Sequence, residues 1–506
     1  MKSPSLSLIA GTAALAAVTA FAAFTAPDGT ADAAPAKAAA RLPVERTSLV
    51  CPSPGISPLS ETTYTSVTPA GGGDGPAGTA ELLKSAAADL EDDKKDDGKD
   101  KGKKDDPGKP VVALKEPGRP VTAEASGANS PALVGTATGR LAPGWSAQQT
   151  TVVEAGNGRG LLGVSCTTPD TGFWIPAAST AKSREDYVHL TNPDDTAAVA
   201  DIELYGPDGS LKSDVGEGIT VPARSSVPVL ISTLTSQATE DVTVHVTTRT
   251  GRVGAVVRAA DEKNGSDWLP ASTDPTDTLV LPGIPADATS VRLVAFAPGD
   301  DDADLKVKLL GKTGAISPVG NESLHVKSRM TASVDLKDIT KGEAGSLLLT
   351  PVQSGKRAPV VAALRVVRGT GDKQEVGYIP ATAPVGARST VADNRDKGSL
   401  LSLTAPTADA TVKVTASAGS KGGEQAVKKY TVKAGTTLAV EPPVPSGLKG
   451  GYALTVETES GGPVHASRML TLTNGGIQMF TVQTLPDDRG TVEVPAARQD
   501  LSVLDD

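Results

Sequence analysis

Aromatic side chains make up only 3% of the 506 residues, as three Trp, six Tyr and five Phe. With so few large rings, the cores must be built from small aliphatic side chains, a composition that suits β-sheets joined by tight turns. Sugar-binding modules use exposed aromatic platforms, so the same scarcity argues against a lectin. Basic residues are also in deficit: the formal net charge is -10 and the isoelectric point about 5.1. Lys and Arg are dispersed along the chain, so the electrostatic footprint of a nucleic-acid binder is missing.

Residues that carry chemistry are few. The four histidines, His189, His245, His325 and His465, each stand alone in a strand pattern and read as sheet residues on a solvent face. No pair has metal-ligand spacing, which predicts no zinc site and no cofactor. There is no Gly-x-Ser-x-Gly elbow, no phosphate-cradling glycine loop and no His-Glu-x-x-His. The paired carboxylates Asp194-Asp195 and Asp300-Asp301-Asp302 fall at turns, where acidic residues are ordinary turn formers, and match no EF-hand spacing. No convergent nucleophile, base and orienting group is visible, so the sequence predicts a protein that is not an enzyme and has no catalytic residues.

Only one long apolar run exists, from Leu6 to Phe24. With Lys2 before it and Ala31-Asp32-Ala33 after it, residues 1–33 read as an export signal, or as an uncleaved N-terminal membrane anchor. Membrane contact is expected through this segment alone. In an exported protein, the two cysteines Cys51 and Cys166 most simply form one disulfide, the alternative being two free thiols. Closing a loop of about 115 residues stabilises by about 4 to 5 kcal/mol on the chain-entropy account.

What the chain does have is a repeat. Trp174-Ile175-Pro176-Ala177 returns as Trp268-Leu269-Pro270-Ala271 and as Tyr378-Ile379-Pro380-Ala381, with an echo at Thr484-Leu485-Pro486. The spacing is about 100 residues, the size of a small β-sandwich. Each copy has an apolar strand ending in proline: Tyr187 to Pro193, Val291 to Pro298 and Leu400 to Pro406. Alternating strands such as Leu305-Lys306-Val307-Lys308-Leu309 follow, with one face apolar. Apolar positions then recur at Val221, Val227 and Val229, at Val326, Ala332 and Val334, and at Val432, Leu438 and Val440. A closing hairpin is expected in each copy, carrying Arg258, Arg365 or Arg468, arginines that suit sheet packing or a ligand-binding row.

Short strands with turn signals every ten or so residues predict an all-β chain of tandem immunoglobulin-like sandwiches. The expected domains are a divergent first sandwich over 41–173, then sandwiches over 174–270, 271–380 and 381–490, and an acidic tail over 491–506. The Gly-, Pro-, Lys- and Asp-rich stretch 71–131 interrupts the first as a disordered insertion. Leu49-Val50-Cys51-Pro52 is placed as its proline-terminated strand, and Gly160 to Cys166 as its closing strand. The aromatic-Pro motifs, Trp174 with Pro176, Trp268 with Pro270 and Tyr378 with Pro380, are expected at the joints between sandwiches.

The Arg41-Leu42-Pro43-Val44-Glu45 start, the Cys51 and Cys166 pair, and Phe173-Trp174-Ile175-Pro176-Ala177-Ala178-Ser179 together resemble an exported actinobacterial family of unknown function. That resemblance implies no activity and no functional residues. The expectation is a non-catalytic extracytoplasmic rod of the cell envelope, secreted or anchored to the outer face of the cytoplasmic membrane. Its partners are envelope proteins, with a wall glycan or other envelope polymer as the alternative, and no nucleic acid. Intact mass before and after reduction tests the cysteine pair: a gain of about 2 Da is expected, and two thiols titrating before reduction would remove the disulfide.

Overall fold

A computed structural model describes residues 40–494 except 56, 72–74, 88–107, 129, 157, 214, 354 and 356. The N-terminal signal or anchor and the acidic tail beyond 494 lie outside the described residues. Among these residues there is no α-helix, only three short 3₁₀ turns, and no helix long and apolar enough to cross a membrane. Pro43–Thr491 form one compact unit. The other contains residues 40–42 and 492–494 of a two-stranded sheet, where Arg41 lies 3.4 Å from Glu493.

Pro43–Thr491 folds as four β-sandwiches with one strand plan. In the second sandwich the eight strands of the plan are Gly172–Ala178, Tyr187–Thr191, Ala198–Gly206, Ile219–Val221, Ser225–Leu230, Val242–Thr250, Gly254–Asp261 and Gly265–Leu269, with Gly209–Leu211 a short addition paired to the third. The first, sixth, third and fourth strands make one sheet; the fifth, second, seventh and eighth make the other. The first sandwich (Arg46–Cys51 to Gly160–Ser165), the third (Leu279–Ile284 to Glu375–Pro380) and the fourth (Arg388–Asn394 to Ile477–Thr484) repeat this order. The second-with-fifth and third-with-sixth pairs are those at the centre of an immunoglobulin sandwich. Here the outer strands differ: the first strand joins the sixth and the seventh joins the second.

The strands arise from period-two alternation. In Ala303–Leu310 the leucines and Val307 are buried while Asp304, Lys306 and Lys308 are exposed. Each interior is filled by Val, Leu, Ile and Ala from both sheets, and each buried branched side chain stabilises by about 1.5–3 kcal/mol. The first sandwich is closed covalently by Cys51–Cys166, which joins the end of its first strand to the residue after its eighth.

Several sequence expectations shift in register. Leu49-Val50-Cys51 belongs to the first strand of its sandwich; the proline-terminated second strand is Ser60–Val67, followed by Pro69. The motif of Cys-Pro misled because Thr-rich Ser60–Val67 lacks the apolar run of its counterparts. The stretch 71–131 holds four strands, Ala80–Lys84, Ala86–Ala87, Val112–Leu114 and Val121–Ser126, because Leu82, Val112 and Leu114 bury against the first core. Of it, 72–74, 129 and, between the third and fourth strands, 88–107 lie outside the described residues. The expected closing hairpins are crossovers instead: the sixth and seventh strands lie in opposite sheets and do not pair.

The sandwiches also do not string out as a rod. Their eighth strands meet in a cycle, each placing a large side chain against the preceding sandwich. Trp268 packs with Val153, Leu162 and Val164 of the first sandwich. Tyr378 joins the core of the second and Phe480 that of the third. Leu161 closes the cycle on Leu470 and Met479 of the fourth. Gly377 is required there, since a Cβ would stand 2.7 Å from the Phe480 ring.

Trp268→Ala is expected to cost about 3–5 kcal/mol, read as a large drop in thermal midpoint. Trp174→Ala, at a half-buried site, is expected to cost less; equal losses would contradict this seam assignment.

Candidate functional site

Where the four eighth strands converge, the apolar seams give way to a buried polar cluster. Asp267 of the second sandwich accepts three hydrogen bonds on Oδ1, from the Gly163 amide (3.1 Å), its neighbour Trp268 amide (2.8 Å) and the Thr481 hydroxyl (3.0 Å). Its Oδ2 is buried without a partner among the described residues. Burial pushes its carboxyl well above the usual range, and the nearby Glu375 charge adds to that. Glu375 of the third sandwich takes the Arg159 guanidinium of the first at 2.8 Å. Burial outweighs that pairing and moves Glu375 up to about 7. Gln148 and Gln483 complete the link between first and fourth sandwiches.

The sequence-selected motifs separate into two positions. Trp268 and Tyr378 lie in eighth strands, opposite Arg258 and Arg365 on the seventh. Trp174 lies in a first strand, where Pro176 sits beside a bulge and Ala177 adopts a φ of 78°. The structural counterparts of that bulge are Gly283, at 87°, and Asp393, at 53°, which the motif does not mark. Pro270 follows its strand and Pro380 ends one, positions where a missing amide donor is tolerated. The Tyr378 hydroxyl accepts a 2.8 Å hydrogen bond from Arg184, itself paired with buried Asp186. Trp174 stacks with His245, with centroids 3.5 Å apart, and with Phe296 at 5.2 Å.

The arginines are not gathered into a row. Arg258 lies over the Tyr187 ring, Arg365 is half-buried, and Arg468 is fully buried, donating to the Ala392 carbonyl at 3.2 Å. Burial draws Arg468 down to about 10. Of the histidines, His189 departs most from expectation: it is buried against the edge of Trp268 with neither ring nitrogen bonded, and burial lowers it to about 3. His465 is half-buried, bonded to the Thr382 carbonyl. His245 bonds Glu203, and His325 bonds its cross-strand partner Asp304 at an exposed position. Among the described residues no group of three or more His, Cys, Asp or Glu is arranged to hold a metal.

The seams between sandwiches show which surface is open. At the first, residues just after the third strand, Ala86–Ala87, pair in parallel with Ser225–Ser226 of the fifth strand of the next sandwich. At the second, the Tyr205 carbonyl accepts from Thr331, and at the third the Gly311 carbonyl accepts from the Thr437 amide, both on fifth strands. At the fourth, the corresponding residues are Ser420 and Lys421 and the fifth strand is Val121–Ser126. Among the described residues no hydrogen bond joins them. A groove of about 550 Å³ lies between instead, with Thr63, Thr122 and Glu124 on one wall and Asp393, Arg395, Asp396 and Lys421 on the other.

Sequence reasoning missed this groove, because its walls come from the two ends of the chain. The available signal was the Asp393 bulge, a non-glycine at a turn position equivalent to Gly283. The Asp393 side chain is only 4% exposed, and its one ion pair among the described residues, to Arg395, is long at 3.4 Å.

A carboxyl whose folded value lies above its unfolded one retains protons on folding. Glu375 therefore favours folding at acid pH, and this contribution is lost as pH rises from about 4.5 to about 7. Glu375→Gln is expected to flatten the fall in stability over that window, measured by denaturant melts at pH 5 and pH 8; an unaltered difference would show that the group stays ionised.

No curated protein matches the chain significantly. The model of a family of unknown function, DUF5719, matches residues 121–443, from the fifth strand of the first sandwich to just past the fifth strand of the fourth. The chain therefore belongs to the DUF5719 family of unknown function.

Proposed function

We propose that this chain is a non-catalytic extracytoplasmic protein of an actinobacterial cell envelope, a scaffold of four sandwiches that binds another envelope protein. The observation that carries this reading is the fourth seam. Three seams are filled by the chain's own segments, whereas the fourth keeps an open groove beside a sheet edge. An exposed strand edge offers unpaired backbone donors and acceptors, which is protein-recognition chemistry.

The disulfide supports an oxidising compartment, and the N-terminal apolar run supports export. The alternative, an accessory module for wall glycan, draws less support. Trp174, the half-buried indole among the repeat motifs, already stacks with His245 and Phe296. The groove walls carry no aromatic ring on which a sugar could stack.

A photo-cross-linking residue at Glu124, with the full chain in its native envelope, tests the proposal. Expected is a discrete cross-linked protein identified by mass spectrometry, and no retention of the purified chain on isolated wall glycan. Retention on glycan at low and moderate salt, with no protein adduct, would replace this reading by the alternative.

A further inference from the structure

We infer that the groove at the fourth seam binds an extended peptide segment bearing a basic side chain, which adds as a strand along Val121–Ser126. This rests on the protein-binding reading above and names the chemistry of the partner.

Quasi-equivalence between seams supplies the first argument. All four sandwiches share one strand order, and each fifth strand is the outer strand of its sheet. At the first seam an extended segment of the preceding sandwich pairs directly with that strand, Ala86 to Ser225 and Ala87 to Ser226, with the Ala86 amide donating to the Arg224 carbonyl at 2.9 Å. Val121–Ser126 pairs only with Ser60–Val67, leaving its other edge without a strand among the described residues. The lining of the groove begins there: Thr122 and Glu124 are two residues apart on one face, and Thr63 is the cross-strand partner of Glu124. An incoming strand would therefore find both an unpaired edge and a flanking channel. The first seam sets the expected orientation as parallel.

Charge supplies the second argument. The carboxylates Glu124, Asp393 and Asp396 outnumber Arg395 and Lys421 along the groove. Asp393 is held by the bulge in a left-handed conformation, with its carboxylate in the groove wall and, among the described residues, only the 3.4 Å pair to Arg395. Arg468 is fully buried, its Nε and Nη1 have no partners among the described residues, and the Asp393 charge offsets part of the cost of burying it. A lysine or arginine of an incoming strand would complete the pairing of Asp393. Gly450 and Gly451 lie close to Ser420, Lys421 and Asp393 on the opposite wall. Three seams filled by Ala86, Tyr205 and Gly311 show a tolerance for a backbone-led contact.

The probe is residues 81–87 (Glu-Leu-Leu-Lys-Ser-Ala-Ala), the covering residues Ala86 and Ala87 with the end of the third strand and Ser85 before them, as an acetylated, amidated and fluorescein-labelled peptide. Fluorescence anisotropy is measured against the full chain. Saturable binding is expected, weakened at least about tenfold when alternate backbone amides of the peptide are N-methylated, since ladder hydrogen bonds are removed. Replacing the peptide's lysine by glutamate is expected to weaken binding by a similar factor. Asp393→Asn and, as an exposed variant that leaves the core intact, Glu124→Lys should each weaken it several-fold, with thermal midpoints showing that both variants fold. Equal binding of the N-methylated peptide, or binding unchanged by Glu124→Lys and Asp393→Asn, overturns the proposal. No binding by the parent peptide up to millimolar concentration overturns it as well. If the envelope cross-link persists undiminished in Glu124→Lys with the photo-residue moved to Thr122, the protein-binding role stands and the strand-addition site falls.

Discussion

A single carboxylate oxygen ties three of the four sandwiches together. Asp267 Oδ1 receives a main-chain amide from the first sandwich, one from its own strand and a hydroxyl from the fourth, while Glu375 of the third reaches Arg159 of the first beside it. Removing such groups from water is costly, and each must find its partners on neighbouring sandwiches to offset that cost. The polar cluster thus demands one register of the eighth strands. The apolar wedges Trp268, Tyr378, Phe480 and Leu161 contribute most of the buried area around it, but grease alone would tolerate sliding. The carboxyl groups make one arrangement better than its neighbours.

This arrangement explains why the chain can have so few aromatics. Inside each sandwich, aliphatics from two sheets of the same plan interdigitate around few rings, Tyr64 and Trp145 in the first, Phe173 in the second, Tyr430 and Tyr452 in the fourth. Other rings sit where sandwich meets sandwich: Trp174, Tyr205, Phe296 and His245 pack together at the seam between the second and third. The recurrent arginines belong to the same layer. Arg258, Arg365 and Arg468 stand opposite Trp268, Tyr378 and Gln483, so they pack at the junctions and do not form a surface row.

How much of this could be read from the chain follows from which interactions are local. Alternation in Leu305 to Leu309, the proline stops after Thr191 to Asn192 and after Ala405, and the two-cysteine bracket all act within one strand or one sandwich, and they announced an all-β tandem. The similarity of Trp174, Trp268 and Tyr378 concealed a difference of strand, because Aromatic-x-Pro-Ala fits a bulged first strand and the end of an eighth strand equally well. Hairpin and crossover likewise share one sequence pattern, two strands around a glycine turn, and only the partner strands distinguish them. The groove was illegible for a different reason. Its walls are separated by some 270 residues of chain between Glu124 and Asp393, and nothing in either segment refers to the other.

Cyclic packing also brings the two ends of the four-sandwich unit together, with the Val44 amide bonded to the Gly490 carbonyl at 3.1 Å and Arg388 bridging Asp488 to the Pro143 carbonyl. In a linear chain of domains, tension applied at the ends passes through every domain in series. Here the same pull would meet the Val44–Gly490 junction and the seam of the first and fourth sandwiches before it reached any other. The mechanical strength of the unit is therefore set by its one incompletely filled seam, and a strand seated in that groove would act as a clasp.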